Sequence, residues 1–272
     1  MPRCARPAVR VGICSRRCRL PSRFISRRTL PGSAPGSYTG CFAVDEIERI
    51  REEYQARDRT IPPDFYAWHR EEIQYWQART ARVCARLLHE SGAFPIADAS
   101  IADVGCGNGH WLLEFLQWGA VPANLHGIDL VAERIAYARE RLPGADLRWG
   151  DAGHLPWPDD SFDVVTQFTV FSSILDAGGQ AEVAAEMLRV LRPGGRILWY
   201  DCRYSHPSRV AVRGLNRNDI RKLFPSCSIR FATTTLVPPL SRVIARRSWA
   251  MAAAIEGLRF TCTHLAAVIT PN

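Results

Sequence analysis

Between residues 45 and 92 the apolar positions recur at helical spacing. In the charged stretch 45–59, Ile47, Ile50 and Tyr54 share one side, which predicts an amphipathic helix. Pro62-Pro63 breaks it. Asp64 is placed to cap a second helix, Phe65 to Glu90, whose Phe65, Trp68, Ile73, Trp76, Val83 and Leu87 fall at helical intervals. Such an aromatic stripe suits packing against a following domain. If it also closes over a ligand, Tyr66, Trp68 and His69 are the candidates.

From Pro95 the pattern changes to short apolar blocks alternating with helical segments. Ile101–Val104, Leu125–Asp129, Asp146–Trp149, Phe162–Phe168 and Arg196–Tyr200 read as strands, the fourth apolar enough to be central. His110–Trp118, Ala132–Arg141 and Gln180–Leu191 read as helices; Gly119 stops the first and Pro143-Gly144 the second. Alternation of this kind implies an α/β fold, a parallel sheet with helices on both faces. After Asp201 the rhythm loosens. A connector at 201–215 leads to a short helix, Arg217–Phe224, capped by Asn216. Then come a strand at Ile229–Val237, a mostly apolar helix at Leu240–Leu258 carrying Arg242, Arg246 and Arg247, and a last strand at His264–Thr270.

Charge divides the chain unevenly. The 272 residues carry a net charge of +8, but residues 1–40 hold nine arginines and no acid, leaving 26 basic against 27 acidic residues in 41–272. The body is therefore not an electrostatic nucleic-acid binder. The Arg-, Ser- and Pro-rich tail fits either a transit peptide or a disordered, over-extended start. The longest apolar runs fall short of the ~20 residues a membrane span needs. Nine cysteines are dispersed without a C-x-x-C pair or a zinc-ligand spacing, so no metal site is expected, and reduced thiols point to a cytoplasmic setting.

The chemistry starts at Asp103-Val104-Gly105-Cys106-Gly107-Asn108-Gly109. A strand, a glycine turn and a helix bring bare backbone to a ligand at a helix N-terminus. The G-x-G-x-G spacing departs from the G-x-G-x-x-G of dinucleotide enzymes. In an open parallel sheet, ligands sit beyond the C-terminal strand ends. There Asp129 ends the second strand, where a carboxylate can accept from two ribose hydroxyls. Asp151-Ala152 follow the third, where a carboxylate can accept from an adenine amino group. Leu130 and Phe168 can supply apolar faces. Together they describe a site for an adenosine-bearing ligand.

Four segments, DVGCGNG at 103–109, GIDL at 127–130, GDAGHLPWPDDSFDVV at 150–165 and VLRPGGRIL at 190–198, resemble the class I S-adenosylmethionine-dependent methyltransferases. The likeness covers residues 95–200 and points to the small-molecule, methyltransferase type 11-like group related to quinone and sterol enzymes. It implies a Rossmann-like, seven-stranded, mostly parallel sheet of order 3-2-1-4-5-7-6, with helices on both faces and an N-terminal helical cap. It implies S-adenosyl-L-methionine as cofactor. Asp103 and Gly105 would then lie near its methionine part, with Cys106, Gly107 and Gly109 completing the turn. Asp129 would lie at the ribose, Asp151 and Ala152 at the adenine, and Gln167 and Phe168 at the methyl-donor end.

The expected organisation is a basic tail at 1–40, a helical cap at 41–92 and a methyltransferase domain at 93–272 with acceptor-side elements at 201–262. A hydroxyl acceptor benefits from a base. His206 is the first candidate, with Asp201 and Tyr204 beside it in sequence. Arg203, Arg209, Arg213 and Arg217 could clamp an anionic group. No N/D-P-P-Y follows the fourth strand and no Pro-Cys dipeptide is present, which argues against amino-group methylation of adenine or glutamine and against cytosine-C5 methylation. The reading is O-methylation of a small molecule, anionic or hydrophobic. The alternatives are C-methylation of an isoprenoid or quinone-like acceptor, with an aromatic cage at Phe168, Phe171 and Trp68, or a donor-binding partner subunit without turnover. The apolar helix at 240–258 could serve a lipid-like acceptor or a homodimer face.

Overall fold

The structure, a computed structural model, describes residues 44–62, 64–205 and 211–272. The basic tail, His206 and Arg209 lie outside the described residues. In chain order the elements are α1 (Val44–Thr60), α2 (Glu71–Glu90), β1 (Ile101–Val104), α3 (His110–Gln117), β2 (Leu125–Asp129), α4 (Ala132–Arg141), β3 (Asp146–Trp149), β4 (Phe162–Phe168), α5 (Ala177–Arg189), β5 (Leu191–Cys202), α6 (Arg217–Leu223), β6 (Cys227–Leu236), α7 (Pro238–Ile244), α8 (Trp249–Glu256) and β7 (Cys262–Pro271).

The strands form one seven-stranded sheet of order β3-β2-β1-β4-β5-β7-β6. β1 to β5 run parallel, and β7 returns antiparallel to both β5 and β6. Helical crossovers through α3, α4 and α5 follow β1, β2 and β4, while β3 returns to β4 through the non-helical stretch 150–161. The side-chain period of two divides the central strands between two cores. Ile197 and Trp199 of β5 face α5 and α6 with Val183, Met187 and Ile220. Leu198 and Tyr200 face the other way, with Cys84, Leu87 and Leu88 of α2 and Leu112 and Phe115 of α3. Because β1 and β4 are central and covered on both faces, they are buried at almost every position, Asp103, Thr166 and Gln167 included. Among the described residues no helix is long and apolar enough to cross a membrane.

Two predicted helices are corrected. The second does not begin at Phe65 under an Asp64 cap. Residues 64–70 instead make successive turns, with the amides of Phe65, Ala67 and Arg70 donating to the carbonyls of Pro62, Asp64 and Ala67. Arg70 is extended (φ −86°, ψ 113°), and α2 starts at Glu71, whose acidic first turn suits the helix N-terminus. The predicted helix at 240–258 is two. Ser248 is extended and its hydroxyl accepts from the Met251 amide, so it caps α8 after α7 has ended. At α6 the Asn216 side chain accepts from the amides of Asn218 and Asp219, and the Asp219 carboxylate accepts from the Asn216 amide, a reciprocal cap.

Candidate functional site

The turn between β1 and α3 is built from three left-handed glycines: Gly105 (φ +72°), Gly107 (φ +51°) and Gly109 (φ +74°). They differ in what surrounds them. A Cβ on Gly105 would collide with Val170 Cγ2, and one on Gly109 would lie 2.7 Å from Leu142 Cδ1, so these two glycines let neighbouring chain approach. A Cβ on Gly107 would meet nothing within 4 Å, so this residue faces open space. The amides of Gly105 and Cys106 both donate to the Ile128 carbonyl, at 2.8 and 2.9 Å, which fastens the turn to the end of β2. There the Asp129 carboxylate accepts from the Gly107 amide at 2.8 Å and from the Val131 amide at 2.9 Å. The acid is thus held in part by the glycine turn it faces.

This turn is one wall of a cavity of about 480 Å³. Gly105, Cys106, Gly107, Asp129, Leu130, Asp151 and Ala152 lie along it. Asp151 is turned in by the Gly153 amide, which donates to its Oδ1 at 3.0 Å, and burial raises its pKa. The rest of its lining includes side chains from α1, the turns before α2, and the segment after β4: Ile50, Tyr54, Arg57, Tyr66, Thr169 and Ser173. The floor is aromatic. Trp111 and Phe168 stack with ring centres 3.8 Å apart, and the Trp76 indole donates to the Tyr200 hydroxyl at 3.1 Å. The Tyr54 hydroxyl meets Ser173 Oγ at 2.9 Å, and Arg134 lies over the Tyr54 ring at 4.5 Å. Thr169 holds a left-handed φ of +60°, locked by its amide donating to the Tyr200 carbonyl at 2.8 Å.

Several predicted site residues stand behind the cavity wall. Asp103 is buried beneath the glycine turn, where its carboxylate accepts from the Thr166 hydroxyl at 2.7 Å. Burial, opposed by that hydrogen bond and aided by the charge of Asp129, brings its pKa up to about 7. Gln167 is fully buried; its amide donates to the Tyr200 carbonyl and its oxygen accepts from the Val170 amide, which shapes the segment after β4. Cys106 lines the cavity, but burial pushes its thiol well up, so it is an inert neighbour.

Among the described residues, the expected acceptor-side group does not converge on the cavity. Asp201 is buried, with its carboxylate accepting from the amides of Ser172 and Cys202, and burial brings its pKa up to about 6. It braces the segment after β4 and does not reach the cavity. Tyr204 is exposed under the Arg203 guanidinium. Arg203 donates to the Arg259 carbonyl and Arg217 lies over the Phe231 ring, so these arginines form no clamp on the cavity. The suggested cage does not form either: Trp68 is exposed, and Phe171 packs on Trp199 in the core. Of the lid candidates, Tyr66 lines the cavity, while Trp68 and His69 face outward.

Residues 101–195 match the family described as a methyltransferase domain. The chain carries a class I S-adenosylmethionine-dependent methyltransferase domain. A probable S-adenosylmethionine-dependent methyltransferase of Mycolicibacterium smegmatis is 34% identical over 139 residues, 51% of this chain and 48% of that protein. A phthiotriol/phenolphthiotriol dimycocerosates methyltransferase of Mycobacterium ulcerans is 37% identical over 131 residues, 45% of each. A demethylmenaquinone methyltransferase of Lactiplantibacillus plantarum is 30% identical over 142 residues, 50% of this chain and 58% of that one. The chain thus spans about half the length of the curated relatives it matches. The fold is also that of a [4+2]-cyclase, SpnF (TM-score 0.53, 19% identity, 72% of this chain and 83% of the other). It is shared too by an S-adenosylmethionine-dependent methyltransferase of Mesorhizobium loti (TM-score 0.50, 19% identity, 63% and 90%). The residues of the methyltransferase domain fit its donor: an open-faced glycine at Gly107, a pinned carboxylate at Asp129, and acidic surroundings for a cation.

Proposed function

We propose that this chain transfers the methyl group of S-adenosylmethionine to the oxygen of a small, largely apolar acceptor. The observation that carries the reading is one cavity with two unlike walls: the strand-end turn with Asp129 and Asp151 on one side, and apolar and aromatic side chains on the other. Gly107, Asp129, Leu130, Asp151 and Ala152 hold the donor, and Trp111 and Phe168 lie toward the acceptor. Bound S-adenosylmethionine supplies an activated methyl group, for which the protein's main task is alignment, worth up to about 7–11 kcal/mol. His110 is the imidazole on the cavity wall among the described residues. Burial, aided by the Arg141 charge, lowers its pKa, so it stands neutral at pH 7 and able to take a proton from an acceptor hydroxyl. Arg57, at the mouth, suits an anionic group on the acceptor.

A second reading is methylation at carbon. It is favoured by the Trp111–Phe168 stack with Trp76 and Tyr200 beside it, a surface for a flat electron-rich ring. Transfer of labelled methyl to hydroxylated aromatic and quinol-type acceptors, with the product's methylated atom located by mass spectrometry, separates the two. Donor binding comes first. S-adenosylhomocysteine at about 100 times its Kd should stabilise the chain by ~2.7 kcal/mol. A well-folded chain whose Tm does not move with either donor or product overturns the proposal. Donor binding without transfer to any acceptor fraction marks a binding subunit instead.

A further inference from the structure

The segment 238–260, which lies between β6 and β7, carries six of the twelve large apolar side chains that are exposed among the described residues. Leu240 and Val243 belong to α7, Trp249 and Met251 to α8, and Leu258 and Phe260 to the turn that follows. Phe260 is the most open of all at 77%. The opposite faces of the two helices are spoken for. Ala245 and Ala252 pack with Tyr75 of α2 and Leu236 of β6, and Glu256 is buried beneath them. The exposed residues are therefore not a misplaced core; they are the outer face of an element already docked.

The charge of this face is one-sided. Arg242, Arg246, Arg247 and Arg259 are exposed, and none of their guanidinium groups is ion-paired or hydrogen-bonded among the described residues. The segment's one acid, Glu256, takes hydrogen bonds from Tyr75, Arg79, Thr234 and the Thr235 amide, so it offers no charge outward. The nearest acid on the neighbouring helix, Glu72, is buried; its charge is shared with Arg70 and felt by Arg246. Protein partners usually present mixed charge, and a second copy of this chain would bring the same arginines against these. Apolar tips interleaved with unpartnered arginines match a surface that is anionic at the outside and apolar just beneath.

We propose that the 238–260 face docks on an anionic phospholipid bilayer, with Val243, Met251 and Phe260 entering the headgroup boundary and the arginines meeting lipid phosphates. The face is joined to the cavity through α2. Trp249 packs edge-on to Tyr75 at 5.7 Å, and the next residue, Trp76, lines the cavity. Docking therefore holds the cavity close to the bilayer. The inference does not depend on methyl transfer.

Hydrogen–deuterium exchange of the full chain, with and without vesicles, tests it and tells this face from the arginine-rich tail. Vesicles of phosphatidylglycerol in phosphatidylcholine should protect backbone amides over 238–260, and pure phosphatidylcholine vesicles should do so far less. Val243→Ser/Met251→Ser/Phe260→Ser should abolish that protection while donor binding and Tm stay unchanged, because all three side chains are exposed. Arg242→Ser/Arg246→Ser should weaken vesicle affinity about fivefold per arginine. Protection confined to residues 1–40 overturns the proposal, as does an unaltered response in the triple variant. Protection of 238–260 that grows with protein concentration without vesicles also overturns it, in favour of a second copy.

Discussion

The two walls of the cavity are made in different ways. The donor wall is backbone: a glycine turn, two strand ends and carboxylates pinned by backbone amides. The acceptor wall is side chain, gathered from the contiguous stretch of α1, the turns before α2 and α2 itself, and from the segment after β4, roughly a hundred residues further on. A backbone wall tolerates little substitution, because its geometry is set by left-handed angles and hydrogen bonds. A side-chain wall can be re-cut one residue at a time while the fold persists. That contrast is why one donor site can serve many different acceptors.

The contrast can be broken most forcefully at Gly105. Gly105→Val needs a left-handed angle and collides with Val170, together about 2–5 kcal/mol. Titration with S-adenosylhomocysteine should show no binding, with a clear fall in Tm; native-like affinity would mean that the turn is not the donor wall. Asp129→Asn comes next. It removes a charge-assisted acceptor worth about 1.5–3 kcal/mol, so donor affinity should fall roughly ten- to a hundredfold. Asp129→Ala should in addition lower Tm, because the Gly107 and Val131 amides lose their acceptor.

The third test uses pH. Asp103 titrates near pH 7 in the ligand-free fold. A cationic donor favours its ionised form, so donor affinity should drop about tenfold between pH 8 and pH 6. Asp103→Asn should flatten that profile. The folding sign is opposite. The raised pKa means that the folded state binds the proton more tightly, so this group's contribution to stability is full below about pH 4 and is lost as pH rises towards 7. The smallest effect is expected on the other wall. Arg57→Ala should raise KM for an anionic acceptor by roughly fivefold with donor Kd unchanged, the size of a surface-exposed charge contact. Equal losses for donor and acceptor would show that the walls are not separable.

Most of the sheet was legible because its central strands are short, apolar and set off by Gly and Pro. Predicted and observed strand bounds agree fully at β1 to β4, while β5 and β7 extend further at both ends and β6 starts two residues earlier and ends one sooner. Helix ends were harder. The start of α2 was hidden because Phe65 and Trp68 keep helical spacing while their backbone makes turns. The break before α8 was signalled only by Arg246-Arg247-Ser248 within an apolar run. The donor turn and Asp129 could be read because they are contiguous or at a strand end. Tyr54, Trp76 and Tyr200 could not be placed in a ligand cavity, since each obeys the spacing of an ordinary packing residue. Arg134 sits in a helix whose charges look wholly solvent-facing. No local pattern says that these side chains converge.

One joint in the fold has a further meaning. Leu236 of β6 pairs with Cys262 of β7, and the Val237 amide donates to the Thr261 carbonyl at 2.9 Å, so the chain leaves the hairpin and returns to it at the same point. All of 238–260 hangs from that stem, seated by a four-residue apolar patch and one buried carboxylate. In topological terms it is an insertion in the β6–β7 hairpin. The stem lies beside Cys202, at the same sheet end as the cavity, so sequence can vary in 238–260 without touching the register of β6 on β7, while whatever surface the segment visits stays near the chemistry.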